Sequence, residues 1–173
     1  KEDQEMRDVF KKWLEEAGIE VKIDDFGNMF GRRIGNQDLP PVLIGSHLDT
    51  QPQGGRFDGI LGVLTSLEVI RTLNDHQIET GRPIEIVYSR NDRDGKSFGD
   101  ELEKIGYKGD ETNRVKEGHA FIELHIEQGP ILESKGITIG AVEGIKGMSW
   151  LEIKVEGKGG HAGPTPMALR HDA

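Results

Sequence analysis

Cysteine is absent from the 173 residues of this chain, and its absence limits the kinds of site that the chain can build. Without thiols, no disulfide can link distant segments and no thiolate can bind a metal ion. Any metal site must therefore use histidine, aspartate and glutamate, a ligand set that is typical of catalytic sites rather than closed structural ones.

Basic clusters and long apolar runs are also missing. The net charge is −9, and no run of lysine or arginine is long enough to follow a phosphate backbone, so nucleic acid and anionic membranes are not expected partners. No apolar stretch approaches the roughly 20 residues that cross a bilayer, and no signal-peptide pattern precedes the first predicted helix. We therefore expect a cytoplasmic protein.

What is present suits a folded domain. Hydrophobic residues make up 34% of the chain and charged residues 31%, proportions that are typical of globular proteins. The length allows one core and part of a second. Because the chain opens on Lys1 and stops at Ala173, soon after a predicted helix start at Thr165, we expect it to be a piece of a longer protein.

Apolar periodicity in the first half predicts an α/β fold. A buried strand, a helix and a second buried strand follow one another, which predicts a parallel pair with a crossover helix. The predicted elements are a helix from Met6 to Ala17 that stops at Gly18, strands at Ile19–Ile23 and near Met29–Phe30, a strand at Val42–Ile44, a helix at Ile60–Leu73 and a strand at Ile84–Tyr88.

The second half predicts further strands and a change of layer. Residues 1–146 should form a mostly parallel mixed sheet flanked by helices, and residues 147–173 should begin a second, α+β domain, with the boundary near Gly144–Gly147. The predicted elements are a short helix around Leu102, strands at Phe121–Ile126 and Ile137–Val142, an alternating strand at Leu151–Val155 and a helix that begins at Thr165.

Two segments carry candidate metal ligands at the ends of predicted elements. His47 follows a buried strand, where open α/β sheets place their ligands, and Asp49 is close enough to orient its imidazole. Asp58 lies at the start of the next helix among glycines that allow close approach to an ion. The alternatives are that Asp58 is a helix N-cap and that His47 is an ordinary loop histidine.

Two more histidines are candidates. His125 ends another apolar strand, and alternation places Glu123, His125 and Glu127 on one face of it, which could equally be a solvent-facing polar edge. His161 lies in a glycine-rich loop that would admit a ligand carboxylate or amide, unless it is a plain surface loop. Together these residues indicate a histidine and carboxylate metal site but name no substrate. His76 and His119 are interpreted as solvated.

Four motifs, in this order, resemble the amidase, hydantoinase/carbamoylase family of the M20 metallopeptidase superfamily. That family includes N-carbamoyl-L-amino acid hydrolases, allantoate amidohydrolases and β-ureidopropionases. The motifs are Gly45-Ser-His-Leu-Asp-Thr50, Gly54-Gly-Arg-Phe-Asp-Gly-Ile-Leu-Gly62, Glu123-Leu-His-Ile-Glu-Gln-Gly-Pro130 and Gly160-His-Ala-Gly-Pro-Thr-Pro-Met167.

The resemblance implies a hydrolase with two divalent metal ions, zinc or manganese first and cobalt or nickel as alternatives. It implies a zinc-exopeptidase-like catalytic domain with a lid and dimerisation domain, and a homodimer that cleaves the carbamoyl C–N bond of N-carbamoyl-L-amino acids or allantoate. By motif, His47 and His125 would bind one ion, and Asp58 would bridge both ions. Asp49 would support His47, while Gln128 and His161 would contact the substrate.

The chain departs from the family pattern in two places. The family carries an Asn-Glu-Glu-Gly motif, with the general base and a metal ligand, after the strand that matches Ile84 to Ser89, whereas here Ser89 runs into Arg90-Asn-Asp-Arg-Asp-Gly95. The family's last histidine ligand would lie beyond Ala173. We therefore expect a missing block after about residue 89 and an inactive chain. Alternatives are an M20 aminoacylase or dipeptidase, and an inactive paralogue used for binding or dimerisation.

Overall fold

The computed structural model describes residues 1–49, 55–89, 98–147, 149, 151–161 and 163–171. The chain forms two compact units, Lys1–Ile131 and Leu132–Ala173. The predicted segment from Arg90 to Gly95 lies outside the described residues. The domain boundary predicted near residue 146 stays a prediction.

The elements of the first unit follow the predicted order. They are α1 (Glu2–Glu16), β1 (Glu20–Ile23), β2 (Met29–Arg33), β3 (Val42–His47), α2 (Ile60–Asp75), β4 (Ile84–Ser89), α3 (Phe98–Ile105), a 3-10 turn (Glu111–Asn113) and β5 (Ala120–Ile122). A short helix α4 (Ile131–Ser134) begins at the last residue of this unit.

The five strands form one mixed sheet in the order β1-β2-β4-β3-β5. Strands β3 and β4 are parallel and are joined through α2, as the strand, helix, strand pattern predicts. Strand β5 is also parallel to β3, while β2 is antiparallel to both β1 and β4. The α/β fold class with a mixed sheet and flanking helices is therefore confirmed.

Helix α1 ends where glycine allows it to end. Gly18 has a φ of +76°, a left-handed conformation that favours glycine. The amide of Ile19 donates to the carbonyl of Leu14 at 3.0 Å, which closes the last turn in a Schellman motif. The predicted stop at Gly18 is confirmed, and it turns the chain back into β1.

One face of the sheet carries the core. Ile86 and Tyr88 of β4 are fully buried, and they point to the same side as Met29 of β2 because these positions pair in register. Side chains of α1 and α2 complete the cluster, whose buried members are Phe10, Leu14, Ile19, Met29, Leu48, Val63, Leu67, Ile70, Ile86, Tyr88, Leu102 and Tyr107. This packing holds the carboxyl ends of β3 and β4 at one edge of the sheet.

Four predictions for the second half are wrong. The strand at Phe121–Ile126 is shorter, since β5 ends at Ile122. No strand forms at 137–142 or at 151–155, where Val142 and Leu151 are exposed, because alternation needs a neighbouring strand to complete its hydrogen bonds. The helix expected at Thr165 is a 3-10 turn at Met167–Leu169 whose N-cap is Pro166.

Among the described residues, no helix combines the length and the apolar character that crossing a membrane would require.

Candidate metal centre

Three side chains from distant parts of the chain meet at the carboxyl edge of the sheet. His47 is the last residue of β3, Asp58 lies two residues before α2, and His125 follows β5 by three residues. Each contributes one potential ligand atom, and these atoms all lie within 4.8 Å of one another. Asp58 is buried, with 5% of its surface exposed, and both histidines are half-buried.

The separations fit a single cation between the three ligands. The Nε2 atoms of His47 and His125 are 3.1 Å apart, and Asp58 Oδ1 lies 3.6 Å from the first and 3.4 Å from the second. Ligand atoms at 2.0–2.1 Å from one tetrahedral zinc ion would be about 3.3 Å apart. The three distances in the structure are therefore close to the ligand–ligand separations of such a coordination shell.

The second nitrogen of each ring determines what the first can do. His47 Nδ1 is 2.7 Å from the carbonyl oxygen of Asp49, and His125 Nδ1 is 2.8 Å from that of Ile126. A carbonyl oxygen can only accept, so both Nδ1 atoms carry the proton. In the neutral rings, both Nε2 lone pairs then face each other and the Asp58 carboxylate. A cation between them relieves this repulsion, so the donor set fits a divalent metal ion.

Gly59 allows His47 to lie against the start of α2. Its φ is +68°, and a Cβ built on it would lie 2.2 Å from the carbonyl oxygen of His47 and 2.4 Å from Nδ1 of that residue. Gly59, not Asp58, is the N-cap residue of α2, and no side chain caps this helix. The N-cap alternative for Asp58 is therefore wrong, and its carboxylate is turned towards the histidines.

Gln128 reaches the same centre. Its side-chain amide donates to Asp58 Oδ1 at 2.8 Å. The residue has a φ of +54°, an uncommon backbone conformation for a residue other than glycine. Next to it, Glu127 accepts from the amide of Ile131 at 3.1 Å, at the start of α4. The predicted substrate residue thus touches a predicted metal ligand.

The alternation predicted that Glu123 and Glu127 share one strand face with His125, and this prediction is wrong. The chain leaves the sheet after Ile122, so Glu123 accepts a 2.5 Å hydrogen bond from the hydroxyl of Ser46, while Glu127 binds the backbone of Ile131. Sequence reasoning missed Ser46. The available signal was a polar residue two positions after Ile44, which places it on the same side of β3 as Ile44. The structure pairs Ser46 with the buried Tyr88 of β4, on the side that faces the core.

The remaining candidate residues either lie outside the metal centre or contact it differently from the prediction. Asp49 offers its backbone carbonyl to His47 at 2.7 Å, whereas its carboxylate is 3.5 Å from the same Nδ1 atom. His161 lies in the second unit, where its Nδ1 accepts from the amide of Gly163 at 3.1 Å. His76 and His119 are exposed. The roles predicted for Asp49, Gln128 and His161 stay predictions.

Known proteins resemble this chain over nearly its whole length. It is 45% identical to an N-carbamoyl-L-amino-acid amidohydrolase of Rhizobium meliloti over 99% of this chain and 48% of that protein. It is 36% identical to an N-carbamoyl-L-amino acid amidohydrolase of Geobacillus stearothermophilus, again over 99% of this chain and 50% of that protein. The chain spans about half the length of the curated relatives it matches.

A solved structure agrees with these relatives. An amidase of the hydantoinase/carbamoylase family from Burkholderia vietnamiensis superposes with a TM-score of 0.78 at 42% identity, over 97% of this chain and 48% of that chain. The resemblance inferred from the four motifs is thereby confirmed. In addition, the family model for peptidase family M20/M25/M40 matches residues 43–172, which include all three residues of the candidate metal centre. The chain belongs to peptidase family M20/M25/M40.

Proposed function

We propose that this chain is the metal-binding part of an amidohydrolase that cleaves the carbamoyl C–N bond of N-carbamoyl-L-amino acids or of allantoate. The observation that carries the proposal is the meeting of His47, Asp58 and His125 with both Nε2 lone pairs turned inward. The relatives named as carbamoyl-amino-acid amidohydrolases support the reaction class.

The same three residues would hold the metal ions. His47 and His125 would share one ion, and Asp58 would bridge it to a second. When bound, divalent ions supply Lewis acidity that polarises the substrate carbonyl and lowers the pKa of water. Histidine and carboxylate ligands accept several divalent metals. We propose zinc or manganese as the bound metal, with cobalt or nickel as alternatives.

Other residues would bind and orient the substrate. The side-chain amide of Gln128 is directed at the centre, and its donor group suits a substrate carboxylate or carbonyl oxygen. Asp49 holds the ring of His47 through its backbone carbonyl, which fixes the tautomer that leaves Nε2 free. His161 remains a proposed substrate contact. The whole enzyme is proposed to be a cytoplasmic homodimer that acts on small ureides.

The proton transfer needs a group that this chain lacks. Hydrolysis of an amide requires a general base that takes a proton from water and returns it to the leaving nitrogen. No glutamate pair follows Ser89 in the sequence. The alignment with the Rhizobium meliloti protein runs over 201 positions, whereas this chain has 173 residues. At least 28 of the aligned positions (201 − 173) are therefore gaps in this chain. We therefore propose that this chain binds metal but does not turn over substrate.

The test measures metal content and turnover in two samples. The 173-residue chain should bind zinc or manganese without hydrolysing any substrate. The protein from its natural source should have a mass about twice as large, and should release ammonia from N-carbamoyl-L-amino acids or allantoate. A natural protein of the same 173 residues would favour an inactive binding or dimerisation paralogue.

A comparison of substrates distinguishes a carbamoyl amidohydrolase from an aminoacylase or dipeptidase of the same family. N-carbamoyl-L-amino acids, allantoate, N-carbamoyl-β-alanine and dipeptides are compared at the same enzyme and metal concentrations. Turnover of dipeptides alone would contradict the proposed carbamoyl chemistry while leaving the metal centre intact. Failure of the chain to bind any divalent ion would contradict the metal centre itself.

A further inference from the structure

The two histidines of the centre are not held opposite each other by backbone pairing. Strand β3 pairs with β5 at Val42↔Ala120, Leu43↔Phe121 and Ile44↔Ile122, and the pairing stops there. His47 still belongs to β3 and pairs with Ser89 of β4. His125 lies on an irregular segment three residues beyond the end of its strand. A contact outside the sheet must therefore set its distance from His47.

The hydroxyl of Ser46 supplies such a contact. It donates to Glu123 Oε1 at 2.5 Å, a length typical of a hydroxyl bound to a carboxylate. Ser46 directly precedes His47, and Glu123 lies two residues before His125. Ser46 is buried, with 4% of its surface exposed, so its hydroxyl would lose a partner without ready replacement by water if Glu123 moved away.

Helix α2 supports the same segment from its first turn. A Cβ built on Gly62 would lie 2.4 Å from the carbonyl oxygen of Leu124 and 2.8 Å from Cβ of Ser46. The bare backbone of Gly62 thus lets the chain between Glu123 and His125 lie against the helix beside Ser46. The segment is fixed by a hydrogen bond at one residue and by close packing at the next.

Glu123 has no direct place among the ligands. Among the described residues, the set that could hold a metal ion consists of His47, Asp58 and His125. The Glu123 carboxylate is instead engaged by Ser46. We infer that Ser46 and Glu123 are a positioning pair, whose hydrogen bond sets the separation of His47 and His125 and thereby the affinity of the centre for a divalent cation. This inference rests on the proposed metal centre.

Metal affinity of the variants tests the inference. Binding of Zn²⁺ and Co²⁺ to the 173-residue chain is measured by calorimetry and by competition with a chelator. Ser46→Ala and Glu123→Ala should each weaken binding by about 10- to 100-fold, the usual effect of removing a residue that orients a metal ligand. The Co²⁺ absorption spectrum should change with them, because the ligand geometry is altered. Glu123→Gln should restore affinity, since its amide oxygen can still accept from Ser46.

Two controls separate positioning from general packing. Ser66 is also buried, with 6% exposed, and its hydroxyl donates to the carbonyl of Gly62 on the same helix. Ser66→Ala should leave metal affinity unchanged. The double variant of Ser46→Ala with Glu123→Ala should be no weaker than either single variant, because both remove the same bond. Wild-type affinity in the single variants, or an equal loss in Ser66→Ala, would overturn the inference.

A metal-free measurement keeps the inference testable if the metal centre itself fails. The imidazole rings of His47 and His125 have centroids 5.3 Å apart, so their ring protons should give a nuclear Overhauser contact in the metal-free chain. That contact should be lost in Ser46→Ala and retained in Ser66→Ala. Its retention in Ser46→Ala would overturn the positioning role. Absence of metal binding in the wild-type chain, with the contact present and lost in Ser46→Ala, would contradict the proposed function and the effect on metal affinity, but not the positioning of the two histidines.

Discussion

The Nε2 atoms of His47 and His125 lie 3.1 Å apart, although 78 positions separate the two residues in the chain. Both rings donate from Nδ1 to a backbone carbonyl, which leaves the facing nitrogens as acceptors. Two acceptors at this distance repel each other unless a proton or a metal ion lies between them. This arrangement fits a bound cation, and removal of a ligand should therefore affect metal binding.

Removal of a single ligand should abolish stabilisation by metal. An ion present at 100 times its Kd stabilises the folded chain by about 2.7 kcal/mol. His47→Ala, Asp58→Asn and His125→Ala should each lose most of this gain in thermal unfolding with and without Zn²⁺. His76→Ala is the matched control, since His76 is exposed and ends α2 away from the centre. An undiminished gain in His47→Ala would contradict the ligand assignment.

Gly59→Ala should damage both the fold and the centre. The positive φ alone costs about 1–3 kcal/mol for a residue with a Cβ. The new methyl group would also strike the carbonyl and ring of His47. Thermal unfolding and Zn²⁺ binding measure the two effects. Gly55→Ala is the control, because Gly55 also has a positive φ, +82°, but open space around it, so it should lose stability without losing metal affinity.

Arg7→Ala should destabilise the first unit. The guanidinium is fully buried, donates to the carbonyl of Gly27 at 2.7 Å and lies over the rings of Tyr88 and Tyr107. Emptying a buried site of this size costs about 2–5 kcal/mol, measured as the free energy of unfolding in urea.

Lys12→Ala on the same helix is the control for Arg7→Ala. Lys12 is exposed and pairs only loosely with Glu16, at 3.8 Å, so its loss should change stability by less than about 0.5 kcal/mol. Equal effects of the two substitutions would show that the buried guanidinium contributes nothing particular.

The Tyr107 phenol should lose its proton at a higher pH than an ordinary tyrosine does. Burial, followed by its hydrogen bond to Asp8 at 2.5 Å, raises the pKa of the Tyr107 phenol above its usual value of 10. Above pH 10 the unfolded chain therefore loses a proton that the folded chain keeps, so stability falls as the pH rises. Near-ultraviolet absorbance and urea unfolding at several alkaline pH values measure both effects. Tyr107→Phe should flatten this fall, and an unchanged slope would contradict the assignment.

The local sequence was sufficient to predict the helices and strands that pack one apolar face against the core of the first unit. The helix that stops at Gly18, the helix at Ile60 and the strands at Val42 and Ile84 all follow from apolar spacing and glycine chemistry. The strand at Leu151–Val155 does not form, although its alternation is regular, because a strand is completed by the hydrogen bonds of a neighbour. Periodicity shows which face could be buried, but not whether a partner is present.

The candidate ligands were predictable by residue type, but their arrangement was not. Motif resemblance selected His47, Asp58 and His125, and the strand ends placed the two histidines at one edge of the sheet. Nothing in the spacing indicated that Gln128 would bind Asp58, or that Ser46 would bind Glu123. These contacts arise where the chain leaves regular structure, since side chains there are directed by individual turns rather than by a period.

By itself, the sequence determined the α/β class, the absence of thiolate ligands, the histidine and carboxylate chemistry, and the lack of a glutamate pair after Ser89. Only the tertiary structure decided which nitrogen of each ring is free, how far apart the ligand atoms lie, and which residues hold them there. The physical reason is that composition and periodicity act along the chain. Coordination depends on distances of a few ångströms between segments that meet only when the sheet and α2 pack together.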